Sequence, residues 1–300
     1  MAEVRLGINN GFAMKRWPEP AAWAELISRH LGLRYVQLSF DVLDPGWPDA
    51  CVTRMCEQVR VAAKDHGLVI QSTFTGLVGY AQNLLAHPEP DVRAHAERWF
   101  ESGLGITVRL GAEATGGHMG ALSVRDHADP CRRAETRRAL VASVRSLARK
   151  AATMGLRYLL WEPMPVPREM PHTPEEAVAL LAEVNDGGGV PVRLCLDVGH
   201  CCAWDVEPKG DPHAWLEQLL PWTAVVHLQQ TDGRADHHWP FTAEFARTGI
   251  IDPQRVVQIA RQSSLDTIYL LLEVCHAHET PDDRVIDDLR ASVDAWATAV

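Results

Sequence analysis

The sequence predicts an α/β fold, a closed (β/α)8 barrel, on three observations. Short β-branched or Leu-rich runs alternate with longer segments of helical period, the pattern of βα units around a parallel sheet. Eight such units fit in 300 residues, ~37 residues each, close to the usual size of that barrel with loop insertions. No repeat, charge block or Ser-rich spacer divides the chain, so residues 1–300 are expected to form a single barrel domain.

The first strand is Val4 to Ile8, and a helix from Pro20 to His30 follows, with Trp23, Leu26, Ile27 and His30 on one face and Gly32 as its stop. Strand two is Tyr35 to Phe40. A helix then opens with Asp49 as N-cap, turns Val52, Met55, Val59 and Ala62 inward and ends at Gly67, directly before strand three, Leu68 to Thr73. A helix over Pro88 to Leu104 leads to strand four, Gly111 to Thr115, whose GAEATGG segment has little β propensity. The helix from Arg133 to Met154 spaces Leu140, Val144, Leu147, Ala151 and Met154 at three and four, with Gly155 as C-cap, before strand five, Tyr158 to Trp161. A helix from Pro174 to Asn185 precedes strand six, Val192 to Leu196. Pro212 to Leu220 precedes strand seven, Ala224 to Leu228, and Pro253 to Gln262 precedes strand eight, Thr267 to Val274. A last helix buries Val285, Leu289, Val293 and Trp296.

Composition narrows the function. A net charge of −10 opposes binding to a phosphate backbone, so nucleic acid is not an expected partner. No apolar run approaches the ~20 residues of a membrane span, and MAEVRLGINN lacks the basic-then-apolar order of a signal peptide, so a cytoplasmic protein is expected. The seven cysteines contain no CxxC and read as reduced thiols in apolar surroundings. There is no GxxxxGK[ST], HExxH or GxSxG.

In such a barrel the chemistry gathers where the strands end, because loops at the C-terminal face converge on the axis. Four consecutive strands each offer one oxygen or nitrogen donor there: Glu162 in RYLLWEP, Asp197 in VRLCLDVGH, His227 in AVVHLQQ and Glu273 in IYLLLEV. A lone carboxylate in an apolar strand is costly, and a divalent cation compensates several at once. Three carboxylates and an imidazole suit Mn2+, Mg2+ or Co2+ better than a thiolate-seeking metal. Each residue also has a purely structural explanation: Asp197 as a helix cap, Glu162 as a partner of Arg168, His227 as a core histidine, Glu273 as a loop brace. The coincidence on adjacent strands favours the metal.

With those residues, the chain resembles the xylose-isomerase-like TIM-barrel superfamily of sugar isomerases and epimerases. That superfamily's ligand order of Glu, Asp, His and Glu on strands five to eight matches Glu162, Asp197, His227 and Glu273. Its Asp-x-x-His appears as Asp197-Val-Gly-His200, which implies contact between His200 and a substrate oxygen. The strings WEPMPVPRE and HLQQTDGRADHHWPFT resemble more narrowly the tetrulose-phosphate (erythrulose 1-phosphate 3-) epimerase branch. One departure is visible: related ketose 3-epimerases carry a substrate-binding Glu six residues after the first ligand, where this chain has Arg168, followed by Glu169. The resemblance also implies a homo-oligomer.

The chemistry expected of this set is proton transfer beside a ketone, with a metal polarising the carbonyl and stabilising the enediolate. Glu162 and Glu273 would be the two bases, one on each face of a small sugar or sugar phosphate. His118 in GGHMG and His200 are candidates for the substrate hydroxyls, and Gln229 for substrate binding or for fixing a nearby carboxylate. For a phosphate or carboxylate on the substrate, Lys15, Arg16, Arg168 and Arg234 are available, with Arg168 favoured for its place just after a ligand-bearing strand. His237, His238 and Trp239 lie in a long polar loop that could cap the pocket, and Trp17 and Trp239 could line it. The same ligands would serve a decarboxylase of a 3-oxo sugar acid or an aldose–ketose isomerase. Phosphodiester cleavage of the apurinic-endonuclease kind is opposed by the net charge, and a non-catalytic sugar-binding protein would not need two carboxylates poised as bases.

Overall fold

The computed structural model describes residues 1–202 and 210–300. Eight parallel strands close into a barrel in sequence order: β1 Glu3–Asn9, β2 Tyr35–Ser39, β3 Val69–Phe74, β4 Ala114–Gly117, β5 Tyr158–Trp161, β6 Val192–Asp197, β7 Thr223–Leu228 and β8 Thr267–Leu272. The ring closes through β1 and β8, in register from Glu3 opposite Thr267 to Ile8 opposite Leu272. Between and after the strands run α1 Pro20–Glu25, α2 Asp49–Asp65, α3 Gly76–Tyr80, α4 Pro90–Leu110, α5 Val124–Ala128, α6 Pro130–Thr153, α7 Pro174–Asn185, α8 Pro212–Leu219, α9 Pro253–Ala260 and α10 Asp282–Ala297.

Four of these helices begin in the same way. Asp129, Thr173, Asp211 and Asp252 each accept a bond from a first-turn N–H, and each is followed by a proline at the first helical position. The cap satisfies an otherwise orphaned donor, and the proline has no N–H to leave unpaired. The main apolar core lies between strands and helices. A smaller cluster that includes Phe74, Leu160, Cys195, Val225, Tyr269 and Leu271 fills the barrel interior.

Local expectations are corrected at several points. The first helix turns from α to π geometry at Leu26–His30, so the predicted face breaks: Trp23 and Ile27 are buried while His30 is exposed. Asp49 is the first helical residue rather than the N-cap, its carboxylate standing in the first turn, where the helix dipole favours it. Met154 follows α6 and is 39% exposed rather than packed. Strand eight stops at Leu272, one residue before Glu273.

The largest shift is at strand four, which occupies Ala114–Gly117 rather than Gly111–Thr115. Gly111 is the left-handed cap of α4. Gly116 is required by close approach: its φ is +151°, and a Cβ there would sit 1.9 Å from the Leu160 carbonyl oxygen. Side-chain propensity could not reveal a strand chosen for the absence of side chains.

Candidate metal and sugar site

The four predicted donors converge at the C-terminal mouth of the barrel. Asp197 ends β6 and His227 lies within β7, while Glu162 and Glu273 stand one residue beyond β5 and β8. Their backbone N–H groups still donate to neighbouring strands, to Gly117 and Leu228 respectively, so both carboxylates are held on ladder-fixed backbone. One donor atom from each of the four lies within 4.8 Å of all the others.

The imidazole is fixed from behind. His227 Nε2 lies 2.6 Å from Gln37 Oε1, which also accepts from Asn9 Nδ2 at 2.8 Å, while Gln37 Nε2 donates to Ser72. These bonds make the Gln37 oxygen an acceptor, so His227 Nε2 carries a hydrogen and Nδ1 faces the carboxylates. Nδ1 is 2.9 Å from Glu273 Oε2 and 3.3 Å from Glu162 Oε1. Burial opposes charging of this ring, but Cys195, Glu273 and Glu162 outweigh it and hold its pKa well above the ordinary value. Glu273 is itself kept below the usual carboxylate range: burial raises it, and His227 more than compensates. Asp197 Oδ1 accepts from Gly199 N–H at 2.6 Å and from Gln229 Nε2 at 2.9 Å, and burial pushes this acid up to about 6.

The residues fit a divalent cation. Glu162 Oε1, Asp197 Oδ2 and His227 Nδ1 are buried without a well-formed hydrogen bond among the described residues, an arrangement costly for a merely structural cluster. A hard cation would satisfy all three and offset the mutual repulsion of the carboxylates.

Around the cluster lies a cavity of about 250 Å3, lined among others by Glu162, Glu273, His118, His200, Asp236 and His238. His118 packs edge-on to Tyr80, and neither ring nitrogen has a hydrogen-bond partner among the described residues. Burial lowers its pKa to about 4, so the ring is neutral. His200 Nδ1 donates to the Pro163 carbonyl at 2.8 Å, and Nε2 lies 3.4 Å from Asp236 Oδ2. Burial disfavours its charge, yet Asp197 and Asp236 raise it to about 10. Asp236, whose side chain is 28% exposed, is held far below the carboxylate range by His200 and His238, against its partial desolvation. Asp197, His200 and His238 form a second close group of possible ligands.

Other sequence-predicted residues are placed differently. Gln229 does not line the cavity; it is fully buried and bridges Asp197 to Asp236, with its oxygen accepting from His238 N–H at 2.5 Å. Arg168, favoured for an anionic substrate group, donates to the Leu122 carbonyl and is not a lining residue. Arg234 is exposed on the loop and is not one either, whereas Arg16 is. Trp239 stacks between His237 and Phe245, with centroids at 3.9 and 4.9 Å, and braces the loop instead of facing the cavity. Trp17 packs on Phe12, which does line it.

The sequence reading missed Gln37, Asn9 and Asp236. A polar residue inside the apolar run YVQLS is a detectable signal for Gln37. Asp236 sits in an irregular loop, where no periodicity marks it.

The family model for the xylose isomerase-like TIM barrel matches residues 26–295. D-erythrulose 1-phosphate 3-epimerase of Brucella abortus (strain 2308) is 28% identical over 297 residues, covering 98% of this chain and 96% of that protein. The crystal structure of a Rhodospirillum rubrum ATCC 11170 protein named for xylose isomerase superposes with a TM-score of 0.91 at 33% identity, over 99% of both chains. D-psicose 3-epimerase of Clostridium cellulolyticum H10 shares the fold, with a TM-score of 0.73 at 15% identity over 98% of this chain and 99% of that one.

Proposed function

Because the chain belongs to the xylose isomerase-like TIM barrel family, we propose that it is a divalent-metal-dependent epimerase of a small ketose or ketose phosphate, with a tetrulose phosphate as the favoured substrate. Its relatives are sugar epimerases and isomerases, and the chain is an enzyme of that kind. The observation that carries the finer reading is the pair of cavity-lining carboxylates, Glu162 and Glu273, ranged about the single ring nitrogen of His227, with Glu162 Oε1 left unsatisfied among the described residues.

Glu162, Asp197, His227 and Glu273 would hold the cation, with Mn2+, Mg2+ or Co2+ as the candidates that fit three carboxylates and an imidazole. When bound, it supplies Lewis acidity that makes the carbon next to a ketone more acidic. Glu273, whose carboxylate the bound cation would keep ionised, takes the proton from that carbon. Glu162, on the facing strand end, returns a proton to the opposite side, and the stereocentre inverts. Neutral His118 and charged His200 would bond substrate oxygens: one ring has both nitrogens free of partners among the described residues, and the other is oriented by Pro163 and Asp236. Gln229 positions Asp197 rather than the sugar.

The test is hydrogen exchange in D2O. Mn2+-reconstituted protein incubated with D-erythrulose 1-phosphate should place deuterium at the inverted carbon, read by NMR. No exchange with that compound or with free ketoses, with the ion retained, would overturn the reading, as would release of carbon dioxide from a 3-oxo sugar acid. Glu273→Gln should lower the exchange rate by about 10^2–10^4-fold while retaining much of the Mn2+.

A further inference from the structure

Apart from histidines, Arg16 is the one basic side chain among the described residues that line the cavity, against the acids Asp41, Glu162, Asp236 and Glu273. Arg16 is held as few surface arginines are. Its side chain is only 10% exposed, with Nη1 donating to the Thr280 carbonyl at 2.8 Å and to Asp282, and Nη2 to the Ala277 carbonyl at 2.8 Å. Those bonds use three of the five guanidinium N–H groups, and the other two have no partner among the described residues. The backbone that delivers it is strained: Lys15, immediately before, has φ +63°, and the turn is closed by bonds from Arg16 and Trp17 N–H to the Ala13 carbonyl. A non-glycine residue in that region persists only where its surroundings enforce it, and such positions cluster at ligand sites.

His276 lines the same cavity and has a side chain only 8% exposed. Its Nε2 lies 3.3 Å from Asp288 Oδ2, and Asp288 is steadied in turn by Arg284 Nε at 2.7 Å. This contact places the ring hydrogen on Nε2 and leaves Nδ1, buried and without a partner among the described residues, as a free acceptor. Arg16 is near enough for its charge to help burial keep the ring neutral.

We propose that Arg16 and His276 form a subsite for the phosphate monoester of the substrate, on the β8–β1 side of the cavity; the proposal rests on the ketose-phosphate reading of the site. An anion accepts the two remaining Arg16 N–H groups. A phosphate monoester, whose second pKa is about 6, also has a P–OH form that donates its hydrogen to Nδ1 of His276. A carboxylate is fully ionised at neutral pH and offers that nitrogen no hydrogen, so the neutral ring selects phosphate. Asp282, 65% exposed, holds Arg16 only through a solvent-screened contact and yields at little cost. Asp41 does not repel strongly from across the cavity, because its carboxylate accepts from the N–H groups of Leu77 and Val78 and from the Ser39 hydroxyl.

Titrating inorganic phosphate into Mg2+-loaded protein, followed by calorimetry, tests the subsite without turnover. Arg16→Met should weaken phosphate at least about tenfold and His276→Phe at least about threefold, both with Mg2+ affinity retained. Arg16→Lys, which keeps the charge but loses the fork, should fall between wild type and Arg16→Met and serves if the methionine variant does not fold. Equal phosphate affinity in wild type and variants, as expected if the anion sits on the Mg2+ or elsewhere, overturns the subsite. In turnover, Arg16→Met should lower the ratio of kcat/KM for the ketose phosphate to that for the free ketose by at least about tenfold, and an equal loss on both sugars overturns it. If wild-type protein exchanges no ketose proton at all, the epimerase reading fails while the phosphate titration still decides the subsite.

Discussion

Gln37 shows how much of a candidate metal-ligating histidine can be determined by a residue outside the donor cluster. Its oxygen receives both Asn9 and His227, so the tautomer of the imidazole is set from β1 and β2. Gln37→Leu removes that acceptor and leaves the His227 Nε2 hydrogen buried without a partner. A 10–100-fold weaker affinity for Mn2+ is expected, measured by titration of the metal-free protein. Glu169 is a second informative residue. It is buried, one carboxyl oxygen lacks a partner among the described residues, and burial raises its pKa from 4.5 to about 7 against the pull of His200 and Arg168. Below pH 4.5 it is protonated both folded and unfolded. Between there and pH 7 the unfolded chain releases the proton first, so stability declines as pH rises, by on the order of 3 kcal/mol. Glu169→Gln should remove that decline: urea midpoints of variant and wild type should converge near pH 4 and separate in the variant's favour at pH 8.

The residues that sequence made legible were those whose placement is expensive. A carboxylate embedded in LLWEP or LLLEV stands out because an apolar strand has no reason to contain it. Gln37 is less conspicuous, since a neutral amide is cheaper to bury than a charge. Arg168 was favoured by nearness along the chain, but the strand-five loop turns it towards Leu122, and the arginine that enters the cavity comes from the loop after β1, which closes against β8.

At the scale of elements, helix and strand order followed from periodicity, and the departures share a cause: the backbone does something that side-chain pattern does not encode. A π turn after α1 rotates His30 outward, and β4 is built from small residues so that β5 can approach. Gly116→Ala would drive a methyl into the Leu160 carbonyl and force β4 and β5 apart beside Glu162. Destabilisation of at least about 3 kcal/mol, or failure to give soluble protein, is expected from urea melts and expression yield. The loop after β7 is a further element whose role was only partly readable. Its bridge between Gln230 and Trp239 and its aromatic stack set His238 at φ +50°, with Nε2 3.2 Å from Asp236 and Nδ1 2.9 Å from the Glu273 carbonyl.

For the whole molecule, the barrel collects donors from four strands that are brought together only when the ring is closed. An ion held by that set binds the folded chain and not the unfolded one, so saturation at a hundred times Kd should add about 2.7 kcal/mol to stability. A thermal shift of several degrees upward with Mn2+, reversed by a chelator, is expected from melting curves; an unchanged midpoint would show that the cluster holds no ion. Among the described residues no helix is long and apolar enough to cross a membrane.

All four candidate ligands lie on the second half of the ring, β5 to β8, whereas Asn9, Phe12, Arg16, Asp41 and Tyr80 bring the first half to the same cavity. The candidate ligands are thereby written into one stretch of the gene, while the cavity wall draws on both. Exchanging the loops after β1, β2 and β3 for those of a cousin would reshape one arc of the cavity while sparing all four candidate ligands, an evolutionary path open to a barrel whose donor set is confined to half of its circumference.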